Sequence, residues 1–144
     1  MAENKFTAVV KNIATKVGEL VSADGSGVLK AVKRAVIVPA NAGQTPTLGI
    51  VLGDFTREDG FFWSGNLMLM LVASKGGKQI DESVVDLCAD VTAKIDALVT
   101  AGTAGGRVDA IKWQTWYQPG ENPAALDNVG AIGQARIVVE NPLK

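Results

Sequence analysis

Apolar residues recur along this chain with two different periods, and the places where the period changes divide it into elements. Phe6, Val9, Val10, Ile13, Val17, Leu20 and Val21 keep helical spacing, with Lys5, Lys11, Asn12, Lys16 and Glu19 on the other side. That is one apolar stripe on a helix from about Asn4 to Val21. Asn4 or Thr7 can cap its start, and the turn cluster Ser22–Gly27 ends it. Val28 to Val38 reads as a strand stopped by Pro39, and Pro39–Pro46 as loop. Leu48–Gly53 is a shorter strand whose glycines suggest close backbone approach or an edge position. Asp54 to Gly60, DFTREDG, is expected to be a charged turn, making an antiparallel hairpin with a protruding tip.

The stretch Gly60–Ser74, GFFWSGNLMLMLVAS, carries no charge and no proline. It predicts a long strand buried on both faces, with Leu67, Leu69 and Leu71 opposite Met68, Met70 and Val72. A helix follows at Asp81–Val99, its apolar face made by Val84, Leu87, Cys88, Val91, Ile95, Leu98 and Val99. Ser83 with Asp86 has the form of a capping box, with Asp81 an alternative cap, and Asp90 with Lys94 forms an i, i+4 pair. Ala101–Gly106 terminates the helix. Val108–Gln118 alternates and is rich in aromatics, a dozen loop residues follow, and Ala131–Glu140 is a last strand. The order is α-β-β-β-α-β-β. The expected class is α+β, a mostly antiparallel sheet of about five strands with two helices, in a single domain over 1–144.

Bulk properties narrow the function classes. At 144 residues, 47% hydrophobic and 20% charged, the chain has the make-up of a soluble globular domain with one core. Its 14 basic and 15 acidic residues leave a net charge of −1, so no whole-domain field draws nucleic acid or an anionic membrane. The first residues lack an apolar signal region, and the longest apolar run, Leu67–Ala73, is far short of a membrane span. A single cysteine, Cys88, excludes an internal disulfide and fits a reducing cytoplasm. Zero histidines removes the commonest metal ligand and general base.

The residues that could carry chemistry read more simply as structure. Glu82, Asp86 and Asp90 share a helical face, which without His or Cys is a solvated face rather than a cation site. Lys75–Lys78 and Gly102–Arg107 contain glycines beside a cation but not the phosphate-loop pattern. Cys88 lies on the apolar stripe without a neighbouring base, so it is a small buried hydrophobe. No catalytic residue, metal ligand or cofactor is expected.

Trp113, Trp116 and Tyr117 are more informative. Trp113 and Tyr117 share one face of their strand and Trp116 takes the other, so one face of a single-layered sheet carries an aromatic that its own core does not reach. The long strand likewise demands apolar cover on both faces, and two helices cover one. A second subunit is the natural source of the rest, which marks Trp113, Trp116 and Tyr117 as subunit-interface candidates.

Taken together, the opening helix Phe6–Val21, the Pro-rich passage Pro39–Pro46 before a short strand, the strand Gly60–Ser74 leading into the helix Asp81–Val99, and the closing pair of strands resemble the tail terminator (tail-completion) proteins of tailed bacteriophages. The likeness is one of element order over nearly the whole chain and rests on no signature residue. It implies a homo-oligomeric ring, usually a hexamer. Such a ring caps the head-proximal end of the tail tube, stops polymerisation of tube protein and joins the tail to the neck or connector, with DNA passing through its lumen. It places the protein in the virion, assembled in the host cytoplasm, with no chemistry and no membrane. Exposure makes Arg57, Glu58 and Asp59 at the hairpin tip, and Glu121, Asn122 and Asp127 in the long loop, the candidates for contact with the tube or an adjacent subunit. The rivals are another neck, head-closure or tail-tube subunit, and a small oligomeric enzyme or ligand-binding domain with a site between subunits.

Overall fold

A computed structural model describes residues 4–21, 29–37, 46–59, 61–74, 80–118 and 128–140. Helix α1 spans Lys5–Val17 and is capped as expected, the Asn4 side chain accepting from the amides of Phe6 at 2.8 Å and Thr7 at 3.4 Å. It tightens into a 3₁₀ turn at Gly18–Leu20, and Val21 is already extended. Phe6, Val9, Val10, Ile13 and Val17 are its buried face.

Strand β1 covers only Ala31–Lys33, against the longer strand expected, and runs parallel to β2. The reason is a crossing at Gly49. A Cβ on that glycine would overlap the carbonyl oxygen of Ala35 and the side chain of Ile37. After Lys33 the chain therefore leaves the sheet plane and passes over the start of β2, placing Ile37 in contact with the sheet face.

Strand β2, Thr47–Asp59, corrects the largest expectation about the hairpin. The charged segment 54–59 is strand, not turn, and pairs with β3, Phe62–Ser74, as far as Asp59 opposite Phe62. The register slips twice, between Leu52 and Phe55 and between Arg57 and Asp59. These bulges absorb the polar residues that break the alternation, so the ladder continues beyond the point where the hydrophobic pattern stops. Arg57 and Glu58 consequently stand on a strand rather than at a turn.

Strand β3 is central, paired over its whole length with β6, Asn128–Glu140, and from Phe62 to Val72 with β2. Helix α2 spans Ile80–Thr100, buries Val84, Cys88, Val91, Ile95 and Leu98, and lies beside α1 on one face of the sheet. Because it already begins at Ile80, Asp81 and Ser83 stand inside its first turn rather than ahead of it. Its end is a Schellman turn: Gly102, at φ 73°, donates to Val99, and Thr103 donates to Leu98. Lys94 pairs not with Asp90 but with Glu19 of the α1 extension, at 3.0 Å, tying the two helices together.

The strand expected at Val108–Gln118 is split into β4, Arg107–Val108, and β5, Lys112–Gln118, both on the far edge of β6. The sheet order is β1-β2-β3-β6, followed by β4 and β5. Apart from the parallel β1 the sheet is antiparallel, and the fold is α+β in one domain. The core lies between the helices and Leu48, Ile50, Leu67, Leu69, Leu71, Ala131, Ala135 and Ile137.

Candidate subunit and partner interfaces

The two faces of the sheet are unequally covered. On the helix side the leucines of β3 are fully buried. On the opposite face the buried apolar residues among the described ones are Ile37 and Val72, with Met70 and Trp116 packed against them, and Ile132 stands exposed beside this small cluster. An apolar surplus on this face is what the alternation of β3 predicted.

The two tryptophans of β5 take opposite faces, as their spacing requires. Trp113 is half-buried on the helix side and its Nε1 donates to Thr92 Oγ1 at 2.9 Å, so it packs within its own chain. Trp116 covers Val72 and Ile37 on the open face. Each indole lies on a glycine of β6. A Cβ at Gly133 would stand 2.9 Å from Trp113 Cε3, and one at Gly130 would stand 2.5 Å from Trp116 Cζ2. The matched spacing of Trp113 and Trp116 against Gly130 and Gly133 is the signal that pairs these strands, and the sequence reading passed over it. The Tyr117 side chain lies outside the described residues, as do Glu121, Asn122 and Asp127 and the side chain of Asp59.

At the end of the β2–β3 hairpin, charged groups are laced across four strands. Glu58 accepts from Ser64 Oγ at 2.5 Å and from Arg136 at 3.0 Å. Arg136 also lies 3.9 Å from Asp109, which accepts from Arg107 at 2.8 Å. The Ser64 hydroxyl and then the Arg136 guanidinium hold the Glu58 carboxyl below the ordinary carboxylate range. The network borders an open hollow of about 680 Å³ lined by Lys5, Phe62, Arg107 and Glu140 as well. Its cations already have anionic partners, since Lys5 lies 4.0 Å from Glu140. Glu58 is thus part of the chain's own bracing, whereas its neighbour Arg57 is exposed and has no ion-pair partner among the described residues.

Phe55 and Phe61 of the hairpin are exposed at 59% and 73%. Phe55 lies against Phe6 and Trp63, ring centres 5.9 and 6.3 Å away, with its outer side open. At the other end of the sheet, a groove of about 500 Å³ runs between α2 and β5, floored by Cys88, Thr92 and Trp113 and rimmed by Val85, Ala93 and Asp96. Burial pushes the Cys88 thiol up to about 11. Among the described residues no cluster of three or more candidate metal ligands occurs, and no helix is long and apolar enough to cross a membrane. Comparison with protein-family models and with curated proteins finds no match to this chain.

Proposed function

We propose that this protein is a structural subunit of a bacteriophage virion, a tail terminator. It assembles as a ring, hexameric by resemblance, on the head-proximal end of the tail tube, halts tube growth, and joins the tail to the neck or connector. DNA passes through the lumen, and neither cofactor nor membrane takes part.

The observation that carries this reading is architectural. The chain order α-β-β-β-α-β-β-β builds a mostly antiparallel sheet that carries two helices, as the resemblance implies. Support comes also from apolar surface left outside the chain's own core: Phe55, Phe61, Phe62, Val85 and Ile132 are all exposed, a surplus that suits contact with neighbours. Arg57, on the exposed side of the hairpin, replaces the tip as the favoured partner contact of its segment.

Electron microscopy of the purified protein mixed with tube protein tests the proposal. A terminator gives rings and single caps at one end of each tube. Long cylinders of this protein alone would make it a tube subunit instead, and a stable monomer in sedimentation at about micromolar concentration would overturn the ring.

A further inference from the structure

Among the described residues the sheet has two edges left without a full neighbouring strand, and they complement each other. The outer edge of β2 is occupied by β1 only at Thr47–Gly49, so Ile50–Asp59 has no strand beside it among the described residues. The outer edge of β5 is likewise unpaired there. Unpaired edges of this length are templates for another strand. From β2 through β3 and β6 to β5 every pairing is antiparallel, so β2 and β5 run in opposite directions. A second copy placed edge to edge, with its helices on the same side, therefore brings its β2 antiparallel to β5 of the first.

Side chains fit the same arrangement. Phe55 pairs with Gly65 on the helix side of β2, and the α2–β5 groove is on the helix side of β5. Arg57 follows Phe55 by two residues on the same face, opposite Trp63. Helix α2 runs opposite to β5, hence in the direction of the incoming β2, and Asp96 lies one turn beyond Thr92, which holds Trp113. A Phe55 seated against Ala89 and Ala93 thus carries Arg57 toward Asp96. Like Arg57, Asp96 has no ion-pair partner among the described residues.

We infer that the β2–β3 hairpin of one copy docks on the α2–β5 groove of the next, Phe55 filling the groove and Arg57 pairing with Asp96. The contact is head-to-tail, which closes into a ring when the rotation allows. Because β1 blocks the start of β2, docking uses its later half, so successive copies step along the strand direction by several residues. The inference deepens the ring reading and rests on it.

Charge exchange tests it, with assembly followed by sedimentation velocity and folding by circular dichroism. Arg57→Asp and Asp96→Arg should each weaken self-association by about tenfold or more, through like charges brought together. The double variant should recover most of the loss, and Ala93→Trp, which fills the groove, should also dissociate the assembly. If the wild-type protein forms rings and neither the charge variants nor Ala93→Trp alters them, the docking mode is overturned and the ring reading stands. A wild-type monomer overturns both. Rings that respond as expected but ignore tube ends uphold the docking and remove the terminator assignment.

Discussion

Gly130 is the position where one methyl group should do most damage. It stands on β6 opposite Val72 of the central strand on one side and Trp116 of the edge strand on the other. A Cβ there would overlap the carbonyl oxygen of Leu71 and come within 2.5 Å of Trp116 Cζ2. The indole has room to move toward solvent, but Leu71 is held in the β3–β6 ladder, the longest among the described strands, so relief requires β3 and β6 to part. Overpacking of this kind costs about 1–3 kcal/mol, and a backbone obstacle puts Gly130→Ala near about 3 kcal/mol. Against a total stability of about 5–15 kcal/mol that is a large fraction. With about 3 °C lost per kcal/mol at this chain length, the midpoint of thermal unfolding should fall by about 10 °C. Gly18→Ala is the matched comparison. Gly18 has helical φ and nothing within 4 Å of a built Cβ, so that variant should be neutral or more stable by about 0.4–1 kcal/mol. Unfolding followed by circular dichroism, thermally and in urea, reads both. A Gly130→Ala midpoint within about 2 °C of wild type would refute the close approach of Leu71 and Trp116.

Leu69→Ala, at a fully buried site on the central strand, should cost about 2–5 kcal/mol in urea unfolding, whereas Met68→Ala on the half-open face should cost less. Glu58→Gln should be less stable than wild type at neutral pH. The Glu58 carboxyl is depressed in the folded state, so its contribution is present above the unfolded value and is lost as pH falls through the folded one; the two proteins should converge in acid, once the folded carboxyl too is protonated. Equal stabilities at pH 7 would show that Ser64 and Arg136 contribute nothing through Glu58. The Cys88 thiol, 6% exposed and pushed up to about 11, should resist a thiol reagent at pH 8 in the native protein and react promptly in denaturant.

The legible parts of the fold were those in which one face of an element is buried in the chain's own core. The stripe Phe6 to Val17 and the stripe Val84 to Leu98 each face the sheet, so period and burial coincide. The strand Gly60–Ser74 was legible for the same reason, its leucines being the helix-facing set. Val28–Val38 misled because its composition suits a strand while its course is set by a distant glycine: Gly49 lets Ala35 and Ile37 cross it, and only the partner residue announces that crossing. The open face was legible as a surplus of apolar residues but not as a place, because the residues that meet there, Ile37, Val72, Met70 and Trp116, come from three segments far apart in the chain.

The segment Asp54–Asp59 shows why polarity alone misplaces a partner site. Its acids and Arg57 looked like a turn because alternation fails after Leu52, yet two register slips keep it paired to Asp59. Pairing changes what each charge can do. Glu58, in the second bulge, is turned to Ser64 and Arg136 and braces β2 to β3 and β6, so replacing Arg57, Glu58 and Asp59 together would mix a bracing loss with any loss of contact. Arg57, in register opposite Trp63, keeps an exposed strand position beside Phe55. Arg57→Ala alone should therefore leave the unfolding midpoint within about 0.5 kcal/mol of wild type, as surface substitutions do. It should still weaken self-association, which sedimentation would detect. An Arg57→Ala protein that unfolds early would mean that this side chain, too, belongs to the brace.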